Sequence, residues 1–142
     1  MAAKEEFSAG GVVVRDGEVA VVVPVRRGAR GRRVLALPKG HPDSGESAAE
    51  AAAREVREEA GVSAEVVEEL GDVTYVYQRG GRHRHKRVTF FLFRYRSGEV
   101  SDHDHEIEEA RWIPLERAAT ELSYPGEREM VARARSRISA DR

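Results

Sequence analysis

The chain has no cysteine. That excludes disulfides, thiolate zinc sites and a cysteine nucleophile. It also has no apolar run near the ~20 residues needed to cross a bilayer, so no membrane partner is expected. The first residues, MAAKEEF, lack the apolar stretch of a secretory signal, and a cytoplasmic location is expected. There is no internal repeat, low-complexity segment or linker, and 142 residues suit a single domain spanning 1–142.

Two long stretches lack acidic residues altogether. Between Ala20 and Pro42 the charges are Arg26, Arg27, Arg30, Arg32, Arg33 and Lys39. Between Arg79 and Arg96 they are Arg79, Arg82, Arg84, Lys86, Arg87, Arg94 and Arg96. A net charge of −1 conceals this segregation, because an acidic segment lies between them. Basic flanks around an acidic centre suit a polyphosphate ligand; the plainer reading is arginine placed on exposed loops for solubility.

The acidic segment, Gly40 to Val62, reads GHPDSGESAAEAAAREVREEAGV. Ser47-Ala48-Ala49-Glu50 has the form of a capping box and Gly61 suits a left-handed stop, so a helix is predicted between them. At 100° per residue Ala49, Ala52, Ala53, Val56 and Ala60 form an apolar stripe, suited to close packing on a sheet. Glu55, Glu58 and Glu59 fall on an adjoining stripe, with Glu50, Arg54 and Arg57 on the far side. Carboxylates at i, i+3 and i+4 repel one another. A hard divalent cation such as Mg²⁺ or Mn²⁺ removes that conflict, since it needs several anionic oxygens at short range. A solvated helix with an Arg54–Glu58 pair is the plainer alternative.

Around this segment the pattern alternates strands and helices. Phe7–Arg15 and Glu18–Arg26 read as a hairpin turning at Asp16-Gly17. Val34–Leu37 reads as a short buried strand and Pro38–Gly45 as a loop. Val62–Leu70 is ambiguous. Val73–Gln78 and Arg87–Arg96 read as strands with Gly80-Gly81 between them, and Glu109–Ile113 as one more. Pro114–Ala119 begins a helix, and Gly126–Ile138 is a second, polar one. The class is α/β.

Gly40, Glu46, Arg54-Glu55-Val56, Glu58-Glu59 and Gly61-Val62 meet all nine fixed positions of the pattern G-x5-E-x7-R-E-U-x-E-E-x-G-U, where U is a bulky aliphatic. The chain therefore resembles the Nudix hydrolases. The resemblance implies an α/β/α sandwich with a mixed sheet, in which this box forms a catalytic loop–helix–loop. It implies metal-dependent hydrolysis of a phosphoanhydride in a nucleoside polyphosphate, with Mg²⁺ or Mn²⁺ as cofactor. Glu58 and Glu59 carry over as metal ligands, and Glu55 as a further ligand or the general base. The Lys39 carbonyl could complete the coordination, Gly40 permits close backbone approach, and Arg54 and Glu46 orient the carboxylates. Glu106, six residues before Trp112, matches the offset of an additional metal-binding glutamate in some Nudix enzymes; Glu109 competes for the role.

Other residues bear on substrate. Pro38-Lys39-Gly40-His41 and the tail Leu122-Ser123-Tyr124-Pro125 resemble the diadenosine polyphosphate hydrolases, which makes a dinucleoside polyphosphate the expected substrate. Lys39 would act as a point charge along the anionic chain, with His41 beside it, and His85 and Lys86 as further phosphate contacts. Tyr124 is a candidate for stacking a purine, or else a packed tyrosine, while Trp112 reads as core. Oxidised nucleoside triphosphates, ADP-ribose and inositol pyrophosphates are the alternative substrates. A non-catalytic nucleotide- or RNA-binding module working through residues 79–96 is the alternative class, although nucleic acid is not the expected partner. The pairs His83/His85 and His103/His105 lack the further ligands a structural zinc needs.

Overall fold

A computed structural model describes residues 5–140. The outermost residues of the expected 1–142 domain, and the side chain of Arg79 in the second basic stretch, lie outside the described residues. Valine-rich β1 (Glu5–Arg15) and β2 (Glu18–Pro24) turn at Asp16-Gly17, where both residues adopt positive φ, as the hairpin reading requires. Then follow β3 (Lys39–Gly40), α1 (Ala48–Ala60), β4 (Val62–Arg79), β5 (Arg82–Gly98), β6 (Ile107–Pro114), α2 (Leu115–Glu121) and α3 (Pro125–Ala140).

The sheet runs β4-β5-β1-β2-β6, with β3 also paired to β1. β1 and β5 are parallel and the remaining pairs antiparallel, so the sheet is mixed. Alternation along the strands produces two cores. On one face Val12, Val21, Val88 and Phe90 pack with Leu122, Met130 and Val131; on the other Val13, Val22, Phe91 and Phe93 pack with α1. The expected α/β/α sandwich is what forms.

Helix α1 starts and stops where its sequence directs. Ser47 Oγ accepts from the Glu50 N–H at 3.1 Å, Glu50 Oε1 accepts from the Ser47 N–H at 2.9 Å, and Gly61 takes φ 78°. Its buried face is turned slightly from the expected stripe. Ala51, Ala52, Val56 and Ala60 are fully enclosed, while Ala49 and Ala53 are only partly covered.

Three segments depart from expectation. Val34–Leu37 makes one bridge, Val22 to Ala36, and no strand. Its other edge meets Ser123 and Glu127 instead of a strand: the Leu35 N–H donates to Ser123 Oγ at 2.8 Å, the Leu35 carbonyl accepts from the Ser123 N–H at 2.9 Å, and the Leu37 N–H donates to Glu127 Oε1 at 2.7 Å. Lys39–Gly40, expected in a loop, pairs with Ala9 and Gly10 of β1. The ambiguous Val62–Leu70 is the first half of β4, whose register shifts at 63/64, 66/68 and 69/71 disrupt the two-residue period that identifies a strand.

The helix stop gives a test. A Cβ on Gly61 would press on the Glu99 carbonyl oxygen in addition to the left-handed strain. Ser47→Ala should cost about 1 kcal/mol in urea unfolding, and Gly61→Ala more. Equal stability of the Gly61→Ala protein would contradict this account of where α1 ends.

Candidate active site

Arg54 organises the acidic end of α1. The sequence places it on the far side with Glu50 and Arg57, but its long side chain curls back, leaving it only 17% exposed. Its Nε donates to Glu46 Oε2 at 2.8 Å, and its Nη2 to Glu46 Oε1 at 3.0 Å and the His41 carbonyl at 2.8 Å. Its Nη1 donates to Glu55 at 2.7 Å and Glu58 at 3.0 Å. The planar five-donor guanidinium suits such a task where a lysine would not. The Glu46 bond outweighs desolvation and pushes the guanidinium pKa further up, and the same bond pulls Glu46 below the usual carboxylate range. Glu46 in turn accepts from the Asp43 N–H at 2.7 Å, so the loop before the helix is fixed to the same guanidinium.

The three glutamates do not converge on one point. Glu55 and Glu58 share Arg54 Nη1, while Glu59 turns to the backbone and accepts the Lys39 N–H at 3.0 Å. Glu55 lies so close over Gly40 that a Cβ there would collide with its carboxylate, which explains the glycine. Burial raises the Glu55 pKa, with Arg54 opposing and Glu58 and Glu106 adding to the rise. Burial likewise pushes Glu59 up to about 7 against the Lys39 N–H and ammonium, with Glu55 and Asp104 contributing.

Glu106 lies near enough for its charge to add to the rise at Glu55. Its loop is tied to α1 by the Asp104 N–H on the Glu58 carbonyl at 2.8 Å, and the Glu106 N–H rests on Asp104 Oδ1 at 3.0 Å. The competing Glu109 is engaged elsewhere, by Arg33 at 3.5 Å and Arg111 at 3.8 Å.

Among the described residues, no three His, Asp or Glu side chains already stand close enough to cage a metal. The donor chemistry nevertheless fits a hard divalent cation. Glu55 and Glu59 are carboxylates whose burial disfavours their charge, and Glu58 and Glu106 stand beside Glu55. The Lys39 peptide is already hydrogen-bonded to one of them.

The expected substrate contacts separate. Lys86 points to the face of Val88 and Phe90, toward the Lys39–Glu127 pair: burial and the Lys39 charge lower its pKa, with Glu6, Glu59 and Glu127 opposing. His85 is its neighbour on β5 and so points to the other face of the sheet, the one that α1 covers. The His41 ring turns to β1, with Nδ1 3.2 Å from the Phe7 carbonyl and 3.4 Å from Ser8 Oγ. The Lys39 ammonium is not a free charge, since it pairs with Glu127 at 2.9 Å. It also lies over Tyr75 and Tyr124, 5.8 and 5.4 Å from their ring centres, and those rings meet edge to face at 5.2 Å. Trp112 packs on Tyr95 with Arg15 above it, as core.

The sequence reading missed Glu127 and Tyr75. A signal for Glu127 existed: Met130, Val131 and Ala134 follow at i+3, i+4 and i+7, which puts Glu127 on the buried face of α3.

A carboxylate whose folded pKa exceeds its unfolded value contributes stability only while protonated. For Glu59 that contribution is complete below about pH 4.5 and lost as pH rises through about 7. Metal-free protein should therefore lose thermal stability across that window, and Glu59→Gln should flatten the loss. An identical slope in the variant would contradict the assignment.

The NUDIX domain family matches residues 6–134. The "Putative mutator protein MutT4" of Mycobacterium tuberculosis is 40% identical over 132 residues, covering 89% of this chain and 53% of that protein. The "8-oxo-(d)GTP phosphatase" of Mycolicibacterium smegmatis is 38% identical over 97 residues, covering 68% of this chain and 29% of its own length. The chain therefore spans about half of the first and under a third of the second. Among solved structures, a NUDIX hydrolase from Nitrosomonas europaea superposes with a TM-score of 0.75 at 22% identity, covering 94% of this chain and 90% of that one. With the box complete at Gly40 to Val62 and the family match extending over nearly every described element, the chain belongs to the Nudix family.

Proposed function

We propose that this chain is a metal-dependent pyrophosphohydrolase that cleaves a phosphoanhydride in a nucleoside triphosphate carrying an oxidised purine. The observation that carries the hydrolytic reading is the Arg54-centred cluster: Glu46, Glu55 and Glu58 on one guanidinium, with Glu59 beside them on the Lys39 N–H. Glu55, Glu58, Glu59 and the Lys39 carbonyl would hold Mg²⁺ or Mn²⁺, with Glu106 as a further ligand. Once bound, such an ion neutralises phosphate oxygens and acidifies coordinated water.

The protein's own groups position and accept protons. Arg54 keeps Glu55 and Glu58 oriented, and Glu46 locks Arg54 to the loop. Glu55, with its proton affinity raised by burial, takes the proton of the attacking water. Water oxygen bonds to phosphorus as the bridging anhydride oxygen leaves with the displaced phosphate. Lys86, within reach of the Lys39, Glu59 and Glu127 charges, supplies positive charge for the phosphates. A cavity of about 300 Å³, lined by Gly28, Ala29, Arg32, Arg33, Ser123 and Tyr124, offers one aromatic wall and two arginines to the nucleoside end.

The choice of substrate rests on the relatives, named as a mutator protein and an 8-oxo-(d)GTP phosphatase. It displaces the dinucleoside polyphosphate as first choice. That expectation rested on the Pro38-Lys39-Gly40-His41 opening and the Leu122-Ser123-Tyr124-Pro125 tail, with Lys39 as a point charge along the anionic chain; the Lys39 ammonium pairs with Glu127 at 2.9 Å. The dinucleoside polyphosphate remains the second reading, because the Pro38-Lys39-Gly40-His41 opening is present and its Lys39 lies over Tyr124 at 5.4 Å.

With Mg²⁺, the protein should hydrolyse 8-oxo-dGTP with a higher kcat/KM than dGTP, diadenosine tetraphosphate or ADP-ribose, and a chelator should abolish turnover. Preference for diadenosine tetraphosphate would reverse the substrate order, and turnover surviving the chelator would remove the metal. Glu58→Gln or Glu59→Gln should lower kcat at least ~100-fold, about 2.7 kcal/mol of transition-state stabilisation. Wild-type rates in either variant would show the roles to be misassigned. Lys86→Ala should raise KM for the same substrate severalfold with kcat little changed; an unchanged KM would remove Lys86 from the phosphate contacts.

A further inference from the structure

Glu127 is fully buried in the first turn of α3, a place where a charge is costly. Three donors from three residues converge on its carboxylate. The Leu37 N–H reaches Oε1 at 2.7 Å, the Tyr75 hydroxyl reaches Oε2 at 2.5 Å, and the Lys39 ammonium reaches Oε2 at 2.9 Å. The ammonium also donates to the Leu37 carbonyl at 3.3 Å. Glu127 therefore grips the chain at Leu37 through its backbone and at Lys39 through its side chain.

The peptide gripped in this way is the one that meets the acidic cluster. The Lys39 N–H donates to Glu59 Oε1, and the next residue, Gly40, carries Glu55 directly above it. Both residues also pair with β1, so the peptide has little freedom to rotate once its two ends are fixed. Burial of an ion pair is a poor explanation in terms of stability alone, because a well-packed apolar pair in its place is often neutral or better. The surroundings would accept one: Leu37, Leu122, Met130 and Val131 form the same core.

We infer that Glu127 is a positioning residue for the metal centre. It anchors the short segment from Leu37 to Lys39 at both ends, so that the Lys39 amide fixes one oxygen of the Glu59 carboxylate. This rests on the reading of Glu59 as a metal ligand. Groups that orient ligands in this manner characteristically alter metal affinity by tenfold or more when removed. A carboxylate that merely holds α3 against the sheet would alter melting and leave the affinity of the folded protein alone.

The experiment is Mn²⁺ titration of the purified chain, followed by the loss of the free-ion paramagnetic resonance signal, with a parallel metal-free thermal melt. Glu127→Gln should weaken Mn²⁺ binding about tenfold, and Lys39→Met should do the same. The double variant should bind no worse than either single one, since both act through a single contact. Because the double variant leaves no buried charge unpaired, it keeps the question answerable should Glu127→Gln alone fail to fold. Affinity within about twofold of wild type in the double variant, whatever its melting temperature, would overturn the inference. Glu59→Gln in the otherwise wild-type chain separates the two readings: if it binds Mn²⁺ normally, the ligand assignment fails first, and Glu127 has no centre to position.

Discussion

Three carboxylates on adjacent turns of α1 repel one another, and in the metal-free chain a single guanidinium opposes that repulsion. Arg54 joins Glu46, Glu55, Glu58 and the His41 carbonyl, so it holds the loop before the helix and the charged face of the helix in one arrangement. The compensation is incomplete. Glu59 receives only an amide and the neighbouring ammonium, and burial still holds its pKa up at about 7. Glu55 is raised despite touching Arg54. Part of the acidic face therefore lacks the positive charge that would make it comfortable, which is the condition under which a divalent cation gains most by arriving.

The sheet makes this arrangement possible. β1 is central and binds three partners; through β3 it holds Lys39 and Gly40 beside the helix, and through β5 it sets Lys86 on the Val88 and Phe90 face, toward the Lys39–Glu127 pair. The close approach of Glu55 to Gly40 and the alanine-rich back of α1 belong to one constraint. A helix that presents carboxylates inward has to sit close to the sheet, and only small residues allow it.

What the sequence made legible was chiefly local. The capping box at Ser47–Glu50, the stop at Gly61 and the turn at Asp16-Gly17 all depend on neighbouring residues, and each forms as read. The nine box positions singled out the side chains that we propose carry the chemistry. Arg54 was illegible in direction, because helical phase describes where Cβ points, not where a long side chain ends. His85 and Lys86 could be assigned to opposite faces only once β5 was known to run unbroken from Arg82. The bulges of β4 hid a strand, and Val34–Leu37, which resembled one, bonds at its second edge to Ser123 and the Glu127 side chain from distant positions instead of to a strand. Glu127 is the plainest case of a long-range effect: its partners Tyr75 and Leu37 lie 52 and 90 residues away along the chain.

The account stands or falls on whether the acidic end of α1 takes a cation. A crystal of the protein grown with Mn²⁺ and measured at the manganese absorption edge tests this directly. The expected result is an anomalous peak bounded by Glu58, Glu59 and the Lys39 carbonyl, with Glu55 or Glu106 turned toward it. A fully occupied Arg54–Glu55–Glu58 contact at millimolar Mn²⁺, with no peak within reach of Glu59, would contradict it.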